Sequence, residues 1–150
     1  MYTKILILLV LAVTASCNKE NYDIDDLLPK YRPICDVWKP QTMSYDSMGV
    51  RVTTQIQYDK LVINDNLSYV LYYDTSNFVV ENGELRIITQ TDDKLELDFA
   101  PDYPMTSSYA GSHIFSFSDV VLESLTNDEM ILTTGECWQF QNVEFHFTKY

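Results

Sequence analysis

Three stretches of the chain alternate apolar and polar residues with a period of two. In VRVTTQIQY, Val50, Val52, Thr54, Ile56 and Tyr58 alternate with Arg51, Thr53, Gln55 and Gln57. In KLELDF, Leu95, Leu97 and Phe99 alternate with Lys94, Glu96 and Asp98, and in VEFHFT, Val143, Phe145 and Phe147 oppose Glu144, His146 and Thr148. Such alternation predicts strands with one wet face. LSYVLYY sets Ser68, Val70 and Tyr72 on one face and Leu67, Tyr69, Leu71 and Tyr73 on the other, one of which must be interior. Turn formers separate these runs: Asn64-Asp65-Asn66, Asp74 to Asn77, Thr91-Asp92-Asp93 and Thr126-Asn127-Asp128. The pair Asn82-Gly83, between FVV and LRII, predicts a two-residue hairpin turn. After residue 16 no helical period persists beyond a turn or two.

The pattern predicts an all-β domain of about eight to ten short antiparallel strands. Closure into an up-and-down β-barrel or closed meander would hide the sheet edges. RIITQTDDKLELD and VLESLTNDEMILT echo one another and read as two successive hairpins. The last segment changes phase, from even positions at Trp138 and Phe140 to odd ones at Val143, Phe145 and Phe147, so a bulge is expected near Gln141-Asn142. Residues 100–111, APDYPMTSSYAG, read as a long loop. At 150 residues one domain is expected.

The N-terminus is different. Lys4 precedes the apolar run Ile5 to Val13, then come the small residues Thr14-Ala15-Ser16 and Cys17. Such a run is too short to cross a bilayer, which takes about 20 residues, and its flanks fit a cleaved signal. The stretch resembles a bacterial lipobox, in the looser form of Bacteroidetes lipoproteins. That resemblance implies removal of residues 1–16 as a lipoprotein signal peptide and attachment of palmitate-type acyl chains at Cys17. It also implies anchoring in the cell envelope at the outer membrane, and Lys19-Glu20 resembles a signal for its outer face. Ordinary signal cleavage, with Cys17 incidental, is the alternative. Residues 17–33 then read as a lipidated cysteine and a flexible acidic tether, with one β-barrel domain over residues 34–150. A net charge of −12, from 22 acids against 10 bases, excludes a nucleic-acid partner.

Trp38 in CDVWKP, the TDDKLEL and TNDEMIL hairpins and the closing VEFHFTKY together resemble a lipocalin-like lipoprotein domain of the Bacteroidetes type. The resemblance implies a barrel whose base is closed by Trp38. Lipocalins carry a Gly two residues before that Trp and an Arg near the C-terminus; here those places hold Asp36 and Lys149.

Few residues suggest chemistry. With Cys17 assigned to lipid, Cys35 and Cys137 remain. In an oxidising envelope they read as a disulfide or as two buried thiols, and less readily as a catalytic Cys. His113, and His146 on a face with Glu144, are zinc-ligand types without a spacing motif. DIDD and NDN lack the ligand ladder of a calcium loop. No nucleophile elbow, phosphate loop or His-Glu-x-x-His occurs, so an enzyme is not expected and no cofactor or metal is implied. Asp46-Ser47-Met48 resembles a short O-glycosylation sequon of Bacteroidetes envelopes. The expectation is a membrane-anchored binding domain, taking a small apolar ligand inside the barrel or an envelope protein on its rim. The alternative is an interaction protein that binds no ligand: an immunity or inhibitor factor, an assembly factor, or an accessory to glycan uptake.

Overall fold

The computed structural model describes residues 22–73, 78–102, 119–137 and 140–150. Among these residues nine strands follow in chain order: β1 (Val37–Ser47), β2 (Val50–Gln55), β3 (Lys60–Ile63), β4 (Ser68–Tyr72), β5 (Val79–Gln90), β6 (Leu95–Pro101), β7 (Val120–Leu125), β8 (Glu129–Cys137) and β9 (Phe140–Lys149). Every pairing is antiparallel. Eight strands close into a barrel through the β1–β9 seam, and β2 pairs with β1 alone.

The echoed hairpins are one turn made twice. Thr91 and Thr126 each accept backbone bonds on Oγ1 from the residues two and three positions on, Asp93 and Lys94 in one turn, Asp128 and Glu129 in the other. Each threonine amide then donates to the carbonyl that closes the turn, Lys94 at 2.8 Å and Glu129 at 2.8 Å. A hydroxyl one carbon from the backbone can bond locally in this way, which is why the pattern was visible in sequence. The phase change is also present: Asn142 has φ 50°, and the β1–β9 register slips between Ser44 and Asp46.

Two local expectations fail. Asn82-Gly83 is no turn; it lies in the middle of the twelve-residue strand β5. Gly83 is needed there for space. A Cβ at this position would collide with the Ala100 carbonyl and lie 2.7 Å from Pro101 Cα. The first hairpin is instead made by Met48 (φ 51°) and Gly49 (φ 78°), the left-handed pair that a type I′ turn requires. VRVTTQIQY is not one strand with a wet face either. β2 ends at Gln55 and is exposed at every residue but Val52; it pairs with the same edge of β1 as β3, opposite β9, but farther along β1.

The acidic tether also gives way to structure from residue 22 onward. Two 3₁₀ turns, Ile24–Asp26 and Arg32–Ile34, fold the segment across one end of the barrel. DIDD supplies a capping box: Asp23 accepts from the Asp25 amide, and Asp26 accepts from the Asp23 amide, both at 2.9 Å. Leu27, Tyr31 and Ile34 are buried. Gln90 holds the segment down, accepting from the Leu28 amide at 2.8 Å and donating to the Asp26 carbonyl at 3.0 Å. Tyr31 donates its hydroxyl to the Thr91 carbonyl at 2.9 Å. Three apolar side chains within ten residues outweigh the local acidity, since the acids face water and the apolar groups face the core.

This end is therefore the closed base. The opposite end, where β1 turns into β2, β4 leads to β5, β6 to β7 and β8 to β9, is the mouth. Below the mouth the interior is filled by Trp38, Leu61, Leu67, Leu71, Leu85, Phe99, Phe145 and Phe147, all essentially without exposure.

Candidate ligand site at the barrel mouth

At the base, Trp38 is 1% exposed and donates Nε1–H to the Ile34 carbonyl at 2.9 Å. Lys149 lies opposite it in register and its ammonium contacts the Asp36 carboxylate. Partial burial raises the Asp36 carboxyl, but the hydrogen bond from Lys149, the Val37 amide and the ammonium charge outweigh this and hold it below the usual range. The two positions that depart from the lipocalin pattern are thus each other's ion-pair partners.

Cys35 and Cys137 lie at opposite ends of the barrel. Cys35 precedes β1 at the base, whereas Cys137 pairs with Phe140, next to the Gln141 that faces Asp46 near the far end of β1. At about 3.3 Å per residue that separates them by roughly 30 Å, and a disulfide needs Cα atoms within about 7 Å. The expected bridge does not form, and Cys35 is a free thiol. Burial pushes that thiol up to about 11, with Asp65 and Asp36 adding to it, so it stays protonated and unreactive near neutrality.

His146 and Glu144 share the outer face, Nε2 to Oε1 2.7 Å apart. Their neighbour is Arg51, whose Nη2 lies 3.7 Å from Glu144 and whose Nη1 lies 3.3 Å from Asp46. Asn142 Nδ2 donates to Asp46 at 2.7 Å; that bond and Arg51 hold the Asp46 carboxyl below its usual range. The cluster ties the β1–β2 hairpin to the β9 bulge. Cys17 and His113 lie outside the described residues, as does most of the long loop after Pro101. Among the described residues, no three His, Cys, Asp or Glu side chains are placed to hold a metal ion. A groove of about 400 Å³ outside the wall, lined by Tyr22, Asp23, Asn66, Ser68, Glu84 and Leu85, runs beside the base segment.

The mouth holds what the sequence did not single out. Along β5, Glu81, Gly83 and Leu85 point inward while Asn82, Glu84 and Arg86 are exposed. Glu81 is 4% exposed and faces Leu71 across β4. Tyr69, 0% exposed, donates its hydroxyl to Glu81 Oε1 at 2.6 Å. Its ring meets Phe99 edge-on, with centroids 5.0 Å apart. Tyr58 packs edge-on to Tyr73 at 6.2 Å. Burial, then the Glu81 charge and Tyr73, push the Tyr58 phenol up to about 12. Burial and the bond to Glu81 raise Tyr69 further. Both phenols therefore remain protonated donors across the physiological range, and Glu81 supplies an acceptor among aromatic rings. The signal for this site was one acid in phase with the inward Leu85. Period two gives the phase of a strand but not which acid is buried. Comparison of the chain with protein-family models, with curated proteins and with solved structures finds no match.

Proposed function

We propose that this chain is a lipid-anchored cell-envelope protein that binds a small, mostly apolar molecule in the mouth of its barrel. Glu81 and Tyr69 would select a head group that is cationic or donates hydrogen bonds. The observation that carries the reading is the buried Glu81–Tyr69 pair, sited above a filled base. The pair sets an acidic group and a phenol donor among aromatic rings, and such rings favour an ammonium group. The filled lower interior is no deep calyx, so a ligand would be held at the rim of the barrel.

Calorimetric titration with decylamine and with decanoate separates the options. Decylamine should bind at least about tenfold more tightly than decanoate, a difference of about 1.4 kcal/mol. Glu81→Gln keeps an acceptor for Tyr69 and should remove that preference. Binding of neither probe, or an amine preference untouched by Glu81→Gln, would overturn the reading. The anchor has its own test: Cys17→Ser should move the protein from the membrane fraction to the soluble fraction of its own cells, since one unacylated chain end gives no stable attachment. A protein that stays in the membrane fraction without the thiol is not held by it.

A second reading, docking of an envelope protein on the rim, is favoured by one observation. Met48, Val50, Tyr73, Phe78 and Val79, five of the seven exposed large apolar residues among those described, lie at the mouth end.

A further inference from the structure

β2 has one neighbour. Among the described residues it pairs with β1 from Val50 to Gln55, and its other edge carries no strand. Val50 is 63% exposed and Met48, at the tip, is fully so. Ser47 and Val50 flank the two-residue turn as a hydrogen-bonded pair, so antiparallel alternation sets the backbone groups of Val50, Val52 and Thr54 toward β1. The same alternation turns the N–H and C=O of Arg51, Thr53 and Gln55 outward. The Ile56 amide, which donates to the Gln41 carbonyl at 3.0 Å, fits this phase.

Native proteins usually guard such an edge with Lys, Pro, a bulge or an inward-pointing charge. β2 has none of these. Its one charge, Arg51, is taken up by Asp46, Glu144 and the Asn142 carbonyl. The chain carries 22 acids, yet none falls between Ser47 and Tyr58. The edge left without a strand among the described residues thus coincides with a stretch from which the chain's own repelling charge is missing.

We infer that β2 is a docking edge for a second copy of this chain, paired antiparallel about a two-fold axis through Thr53. A homodimer contact of this symmetry must be self-complementary. An axis at Thr53 sets Thr53 against Thr53 of the other copy, Arg51 against Gln55 and Val52 against Thr54. All three outward-facing residues then find backbone partners together, the threonine methyl groups meet across the axis while each hydroxyl stays on its own Ser44, and no like charges oppose. A strand from a different protein gains no attraction from Arg51, which is already neutralised. Six residues of edge make a contact at the small end of the range, so the dimer is weak and depends on concentration. The acids elsewhere on both copies repel, and salt that screens them tightens it.

Sedimentation equilibrium on the full chain as the Cys17→Ser variant, which carries no lipid, tests this from about 1 µM to about 1 mM. The expected result is a reversible monomer–dimer equilibrium that shifts toward dimer as salt is raised. Thr53→Pro removes an N–H that points away from β1, so the monomer loses no ladder bond, only the 2.8 Å bond between the Thr53 and Ser44 hydroxyls; it should abolish the dimer and lower the melting temperature no more than Thr53→Val, which also lacks that hydroxyl but keeps the N–H and the dimer. Thr53→Lys sets two like charges across the axis and should weaken the dimer at least about tenfold at low salt. If the proline variant misfolds, the lysine variant decides. A chain that stays monomeric at about 1 mM, and so leaves the edge to another protein's strand, overturns the inference. So does a dimer indifferent to both substitutions.

Discussion

Trp38→Ala should cost the fold about 3–5 kcal/mol, close to the whole stability of a marginal domain. Three contributions coincide at this side chain. It is 1% exposed, so truncation leaves a cavity between barrel and base segment that neither wall can collapse to fill. Its Nε1–H donates to the Ile34 carbonyl, and removal strands that acceptor in the core. Ile34 in turn belongs to the segment carrying Leu27 and Tyr31, so the loss spreads to the base closure. Trp38→Phe keeps most of the packing and loses the hydrogen bond, for about 1–3 kcal/mol. Urea unfolding of both variants gives the comparison: the midpoint should fall in the order wild type, Phe, Ala, with a similar slope for the Phe variant. An alanine variant within about 1 kcal/mol of wild type would show that the base does not depend on this residue.

The second large effect belongs to a glycine. Gly83→Val should destabilise by several kcal/mol, on the scale of severe overpacking, because the new Cβ has only backbone to meet. The Ala100 carbonyl lies in its path and Pro101 Cα sits 2.7 Å away. Backbone within a sheet cannot rotate aside as the end of a flexible side chain can. β5 and β6 would have to part next to Glu81, so mouth and wall are both disturbed. Gly135→Ala is the control, since a Cβ there meets nothing within 4 Å and φ is not positive. It should be neutral or slightly stabilising through a less flexible unfolded chain. Thermal melts of the two variants should therefore diverge sharply; equal melting temperatures would mean that β5 and β6 have room to separate.

The parts of this fold legible in the sequence were those set by nearest neighbours. Alternation in KLELDF and VEFHFT gave β6 and β9 their inner faces, and the threonine turns announced two hairpins through bonds within four residues. What escaped was decided by residues far apart in sequence. Gly83 looks like a turn residue until Ala100 and Pro101 are beside it. The acids of DIDD look like a tether until Leu27 and Tyr31 reach the core below them. Cys35 and Cys137 both lie next to segments of the seam, but antiparallel pairing sends them to opposite ends. At the mouth, Glu81 has the local signature of any solvated acid, and only the inward phase it shares with Gly83 and Leu85 along β5 sets it inside. The Met48-Gly49 turn was obscured because Met is an unusual left-handed residue; Gly49 was its one sequence cue.

The seam itself has a consequence in time. β1 and β9 are the first and last strands, and Gln41 Nε2 bonds Thr148 Oγ1 across 107 residues of sequence. Contacts that close so long a loop come late and make folding slow. A chain that emerges N-terminus first exposes the bare edge of β1 while every later strand is still being delivered. No intermediate lacking β9 can complete the ring, so the ten residues of that strand decide whether the hundred before them become a barrel or remain an open, adhesive sheet.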